Sequence, residues 1–242
     1  MDSGLYAACA GLKARVQHLD VVGNNLANVN TTGYRSQQPT FSSLLAMRSG
    51  AIPTELNLAV NDFGVLQGSR IDLMAGNLEH TGNQLDLGIE GNAFFTVQTR
   101  SGVLYTRNGA FRTSPSGQLM TSEGDLVLGE QGPITLPGGV VSISPDGTIS
   151  VAGAVAGKLR LVEFSSEAQP KPVGNSYYSA EAVRPATRSY VREGMLEASN
   201  VNAVNATVSL IALQRHAEML QRALSTFHND FNRIATAELP RI

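Results

Sequence analysis

Histidine, cysteine and carboxylate side chains are the groups that could do chemistry in this chain, and their spacing argues against it. His18, His80, His216 and His228 are scattered. None stands at ligand spacing from a second metal-binding residue, and each reads as a polar helix-face or surface residue. Cys9 is the single cysteine. It lies on an apolar helical seam and reads as a small hydrophobe in a helix contact. Asp86, Glu90, Glu123 and Asp125 fall in turns and strands, where carboxylates are ordinarily solvated. An acid–base or glycoside-cleaving pair would have to face one groove, and no such pair is readable. Gly88-x-x-Gly91 and the stretch from Gly132 to Gly139 lack the spacing of a phosphate cradle. Asn30-Thr31-Thr32 and Asn205-Ala206-Thr207 match the glycosylation triplet, but that triplet is common by chance and here falls at helix ends. The expectation is therefore no catalytic residue, no metal, no cofactor and no enzyme.

The elements that would carry any site are better marked. The chain has 242 residues, 42% of them apolar and 16% charged. That length allows a sizeable core, and so low a charge suits a surface largely covered by neighbours. A net charge of −2 leaves no electrostatic footprint for nucleic acid or anionic lipid. Of the 18 basic residues, three are lysine and the rest arginine, the better cation for interfaces. One cysteine excludes an intrachain disulfide. No apolar run approaches the ~20 residues of a membrane helix, so no membrane insertion is expected. The start, MDSGLYAACAGLKARVQ, lacks the pattern of a cleavable export signal.

Leu5, Cys9, Leu12, Val16, Leu19, Gly23 and Leu26 recur at alternating spacings of four and three, a heptad seam. That predicts a helix from residue 3 to about 30, stopped in NVNTTGY, where Gly33 can take positive φ. A second seam is longer: Ala203, Ala206, Leu210, Leu213, Ala217, Leu220, Leu224, Phe227, Phe231 and Ile234. It predicts a terminal helix of about 35 residues, roughly 50 Å long, with Ser199 as N-cap. A rod of that length needs partners along its seam.

Between the helices the pattern changes. Fourteen of the 24 glycines lie from Gly82 to Gly157, separating short alternating runs such as AFFTVQT, VLYTRNGAF and VVSISPDGTISVAG. Asn108-Gly109 and Asp146-Gly147 read as hairpin turns. Residues 166–190 read as irregular, with Pro170, Pro172 and Pro185 as breakers, and residues 36–80 are ambiguous. The predicted fold is mainly β with terminal α-helices, an antiparallel multi-stranded body flanked by coiled-coil-forming helices. Its segments are 1–35 (first helix), 36–75 (connection), 76–190 (β body) and 191–242 (last helix). Asn24, Asn25, Asn28 and Asn30 would face Asn200, Asn202 and Asn205 where the helical stem joins the body, since asparagine can satisfy exposed backbone groups at helix ends. A ligand-binding β module with helical dimerisation arms is the competing class, but hairpin turns explain the glycines more simply.

The block Asn24-Asn25-Leu26-Ala27-Asn28-Val29-Asn30-Thr31-Thr32-Gly33-Tyr34-Arg35 strongly resembles the N-terminal signature of the flagellar rod and hook protein family. Gly23 stands where alanine is common, and Arg35 where lysine is. GNLEHTGNQLDLGIEGNAFFTV (residues 76–97) and YTRNGAFR (residues 105–112) resemble the family's central stretch. EASNVNAV (residues 197–204), carrying Ser199, Asn200, Val201 and Asn202, is similar to its C-terminal signature. The resemblance implies a structural subunit exported through the flagellar type III apparatus and polymerised with self-copies, other rod subunits and hook-side rod proteins. In such a tube the terminal helices form an inner coiled-coil layer, with Leu5, Leu12, Val16, Leu19 and Leu26 packing against Leu210, Leu213, Leu220, Leu224, Phe227 and Phe231. The short 36–80 segment, the MDSGLYAA start and the REGMLEASNVN step look more like the proximal-rod subunit of the F type than the distal-rod subunit of the G type.

Overall fold

The computed structural model describes residues 2–42, 65–165 and 168–238. They fall into two compact units. One takes the described parts of residues 1–26, 37–70 and 202–242; the other takes residues 27–36 and 71–201.

The first unit is helical. α1 runs Asp2–Ala27 and α2 runs Ala203–Glu238. At 36 residues, α2 is about 54 Å long. Its N-cap is Asn202, whose Oδ1 accepts from Asn205 N at 3.0 Å. Ser199 instead accepts from Val201 N at 3.3 Å in the loop ahead. Both residue types cap well, so geometry decides between them. Among the α1 residues whose side chains are described, the buried ones are Gly11, Ala14, Val22 and Asn25. β1 (Gln37–Ser42) pairs with β2 (Val65–Ile71). That pair occupies part of the ambiguous segment, and residues 43–64 lie outside the described residues. Among the described residues no helix is long and apolar enough to cross a membrane.

The second unit is an antiparallel β body. Its main sheet is built around β5 (Phe94–Thr99), flanked by β6 (Gly102–Thr106) and β9 (Leu126–Gly129). AFFTV is a continuous apolar run because β5 is buried on both faces. Successive side chains alternate in direction. Phe94 joins Ile71, Tyr105, Val162 and Tyr178 on one face, while Phe95 and Val97 join the larger core with Leu87, Ile89 and Val127 on the other. The ring of Phe95 meets Phe111 edge-on at 5.0 Å.

Two turn readings part company here. Asp146-Gly147 does turn a hairpin, between β11 (Val141–Ile143) and β12 (Thr148–Val151), with Gly147 at φ 83°. Asn108-Gly109 does not: β6 ahead of it and β7 (Phe111–Thr113) after it are not partners, because β7 pairs with β8 (Leu119–Thr121). Gly109 is needed for close approach instead. A Cβ there would lie 1.8 Å from the carbonyl oxygen of Leu87. The stretch read as irregular, residues 166–190, holds β15 (Lys171–Gly174), β16 (Tyr177–Ser179) and β17 (Val183–Pro185). Pro172 is tolerated because β15 is an edge strand. Asp86, expected in solvent, is buried and accepts from Thr81 Oγ1 (2.7 Å) and Asn83 Nδ2 (3.0 Å).

The close approach at Gly109 makes a checkable statement. Gly109→Ala is expected to lower stability by about 3 kcal/mol in urea unfolding, as overpacking against backbone does. Gly138→Ala, with open space around it, should stay within about 0.5 kcal/mol of the parent.

Candidate functional site

Three stretches of the β unit that lie far apart in sequence converge at one buried junction. They are residues 33–36 after α1, residues 72–76 after β2, and residues 197–200 ahead of α2. Each is placed by backbone chemistry first. α1 ends in a turn in which Thr31 N donates to Asn28 O (3.1 Å), Thr31 Oγ1 to Asn28 Oδ1 (3.1 Å) and Tyr34 N to Thr31 O (3.2 Å). Gly33 then adopts φ 67°, the left-handed region that glycine enters without strain. A Cβ there would lie 2.3 Å from Asn108 N, so only glycine admits this chain path. Gly33 N donates to Glu197 O at 2.7 Å.

Asn200 ties the three stretches together. Its Oδ1 accepts from Ser36 N (2.7 Å), and its Nδ2 donates to Asp72 O (3.1 Å) and Met74 O (2.9 Å). Asp72 N donates to Ser36 O at 2.8 Å. Gly76 completes the fit, since a Cβ there would stand 2.0 Å from Ala198 O. In the helical unit Asn25 clasps Gln37 in the same manner, accepting from its N and donating to its O, both at 2.8 Å. Asn25 and Asn200 therefore each satisfy backbone groups.

Beneath this lies a charged cluster. Arg35 and Arg107 flank Glu197, and all three side chains are at most 1% exposed. Arg107 Nη1 donates to Glu197 Oε2 (2.8 Å) and Ile89 O (3.0 Å), its Nη2 donates to Gly91 O, and its guanidinium lies 5.0 Å over the Phe94 ring. Arg35 Nη2 stands 2.5 Å from Glu197 Oε1 without the alignment of a hydrogen bond, so the attraction there is ionic. Glu197 Oε1 also accepts from Gly76 N at 2.8 Å. Arg35 N donates to the Tyr178 hydroxyl at 3.0 Å. Burial draws the Arg107 guanidinium down to about 10; Glu197 opposes that and Arg35 adds to it. The cluster sets one carboxylate side chain between two arginines, sealed from water. No substrate reaches it. Its capacity is mechanical: removing the carboxylate would leave buried cations uncompensated, which typically costs about 3–5 kcal/mol.

The signature residues are divided by this geometry. Gly33, Tyr34 and Asn200 belong to the junction, with Tyr34 buried and its carbonyl accepting from Asn200 N at 3.4 Å. Asn28 and Ser199 shape the turns beside it, and Thr32 and Val201 are half-buried in the same loops. Asn24 and Ala27 are exposed. Of the seam residues, Leu213 is buried, Leu12, Leu19, Leu26, Leu210, Leu220 and Leu224 are half-buried, and Val16 is 43% exposed. The side chains of Leu5, Phe227 and Phe231 lie outside the described residues. Arg107 and Glu197 were not picked out as site residues. Their only sequence signal is a charge inside an otherwise buried run, Leu104–Arg107, and at the end of Met195–Glu197.

No group of three or more histidine, cysteine or carboxylate residues that could hold a metal is found among the described residues. An open groove of about 660 Å³ is lined by residues 129–135, 148 and 155–158, none of them aromatic. It lacks the apolar and aromatic lining of small-molecule sites.

Three family models match the chain in order. Residues 5–35 match the flagella basal body rod protein, residues 88–151 the flagellar hook protein FlgE/F/G D1 domain, and residues 192–237 the flagellar basal body rod FlgEFG protein C-terminal. The flagellar basal-body rod protein FlgF of Escherichia coli K12 is 35% identical over 254 residues, spanning 96% of this chain and 97% of its own. FlgF of Caulobacter vibrioides is 33% identical, spanning 100% and 96%. FlgG of Agrobacterium fabrum is 32% identical, spanning 92% and 94%. The chain belongs to the flagellar basal-body rod protein family. This rod protein, of the F or G type, is a structural subunit and not an enzyme. Flagellar basal-body rod proteins reside in the basal body and assemble with other rod subunits. Residues 35 and 197, which close the charged cluster, each fall inside or beside the terminal family matches.

The junction gives this rod protein an alkaline limit. Burial, ahead of the contacts with Arg35, pushes the Tyr178 phenol up to about 12. Burial likewise pushes Tyr177, bonded to Thr121 Oγ1 at 2.9 Å, up to about 12. Both are raised above the unfolded value of ~10. Their contribution is fully present below about pH 10 and is lost as pH climbs through about 12. Of the six tyrosines, these two are expected to show tyrosinate absorbance only as the circular dichroism of the body is lost. Ionisation of all six before unfolding would contradict the burial.

Proposed function

We infer that this chain is a proximal-rod subunit, polymerising into the axial tube that transmits torque and encloses the flagellar export channel. The observation that carries the reading is α2: 36 residues long, with Val204, Val208, Ile211 and Met219 exposed. An isolated amphipathic helix of this kind is marginal, and an uncovered apolar stripe asks for neighbours. Residues 1–35 and 191–242 supply the inner coiled-coil layer, residues 76–190 the outer body, and 36–75 the connection. The seam pairs Leu5, Leu12, Val16, Leu19 and Leu26 with Leu210, Leu213, Leu220, Leu224, Phe227 and Phe231, within and between subunits. Head-to-tail contacts between such copies build an open helical assembly. The subunit reaches the periplasm through the type III export apparatus. Its axial partners are self-copies, other rod subunits and hook-side rod proteins.

The F type is favoured over the G type by the short 36–80 segment, the MDSGLYAA start and the REGMLEASNVN step. The distal rod is the second reading, since relatives of both names align over nearly the whole chain. Quantitative mass spectrometry of purified hook–basal bodies separates them: a few copies per particle place the chain in the proximal rod, and some two dozen or more in the distal rod. Leu220→Asp tests the seam. It is expected to abolish swimming while the purified variant keeps the sheet signal and urea midpoint of the β body. Normal swimming would remove the seam from the mechanism.

A further inference from the structure

The charged junction packs two cations against one buried carboxylate, with Glu163 adding only the weakest of the attractions on Arg107, and its members reach it by different routes. Arg107 belongs to the body. Even without Glu197 it keeps the carbonyls of Ile89 and Gly91 and the face of Phe94. Arg35 has no such provision. Among the described residues its guanidinium has Glu197 as its ionic partner and makes no aligned hydrogen bond. Glu197 itself closes β19 (Met195–Glu197), which pairs with β3 (Leu78–His80), directly after β18 (Tyr190–Glu193), which pairs with the core strand β4 (Leu87–Glu90). These are the last strands of the body in chain order.

We propose that Glu197 is the gate that admits Arg35, so that residues 33–36 dock on the body only after its C-terminal strands are seated. Without Glu197, Arg107 would stand as an uncompensated cation at the place Arg35 must enter, and two like charges brought together as water is excluded repel strongly. Once β18 and β19 are paired, the carboxylate neutralises one arginine and attracts the second. The other bonds of the 33–36 segment follow the same order, because Gly33 N needs Glu197 O and Ser36 N needs Asn200 Oδ1. The outcome is a fold-order device. A chain whose end is not yet in place cannot finish the junction, and residues 33–36 stay undocked until it can. Arg35 is in this reading a conditional tether and not a net stabiliser, since one arginine already balances Glu197.

The test is amide hydrogen exchange on the full-length chain, comparing the parent with Glu197→Gln, Arg35→Met and the double variant. Glutamine keeps an acceptor for Gly76 N and removes only the charge. Exchange across residues 27–36 is expected to rise about 10- to 100-fold in Glu197→Gln, while β5 and β9 keep their protection. In the Arg35→Met background the same glutamine change should raise it at least ~10-fold less, because methionine needs no counter-charge. Arg35→Met alone should leave both regions within about 3-fold of the parent. The proposal fails if residues 27–36 stay protected in Glu197→Gln, if β5 and β9 lose as much protection as they do, or if Arg35→Met gives no relief. Should Glu197→Gln fail to fold, folding of the double variant supports the gate and its failure overturns it, as does loss of the 27–36 protection in Arg35→Met alone.

Discussion

One carboxylate holds the β unit closed. Glu197 is sealed from solvent between Arg35 and Arg107, with its second duty the backbone amide of Gly76. Such a group is stable only while its carboxylate is in place, because a buried charge without its partner is far more costly than an apolar replacement. The hydrogen bonds around it follow from that placement. Glu197 O receives Gly33, the neighbouring Asn200 receives Ser36 and reaches back to residues 72 and 74, and Arg35 N leans on Tyr178. Apolar packing alone would hold these stretches near one another. The ion group and the asparagine fix them to a single geometry.

That geometry suits a structural subunit. The three stretches that meet at the junction are those by which residues 27–36 and 71–201 connect to the rest of the chain. Within the β unit, hydrogen bonds and one buried ion group hold the three stretches together, so strain on any one of them is shared by several groups. The glycines serve the same end: Gly33 and Gly76 let backbones come closer than any side chain would allow.

The β core shows a different logic. β5 faces two cores, and its neighbours supply alternating side chains to each. The body therefore has a stable centre that does not depend on the charged cluster, while the cluster lies at its margin. Arg107 links the two, since the ring of Phe94 under its guanidinium is itself part of the smaller core.

The sequence by itself determined the order of helix, β body and helix, the hairpin at Asp146-Gly147, the length of the last helix and the membership in the rod family. These rest on periodicity, turn chemistry and contiguous motifs, all of them local. It also marked Gly33 and Asn200 as belonging to the site. The tertiary structure alone decided the rest. Arg35, Arg107 and Glu197 are far apart in the chain, and nothing in the neighbourhood of each announces that the three side chains share one buried space. Gly109 reads as a turn because its neighbour is asparagine, yet its reason is the carbonyl of Leu87 on another strand. The strands after residue 170 were hidden by prolines that an edge tolerates. In each case the missing information is which distant backbone or charge stands opposite, and only the folded chain supplies it.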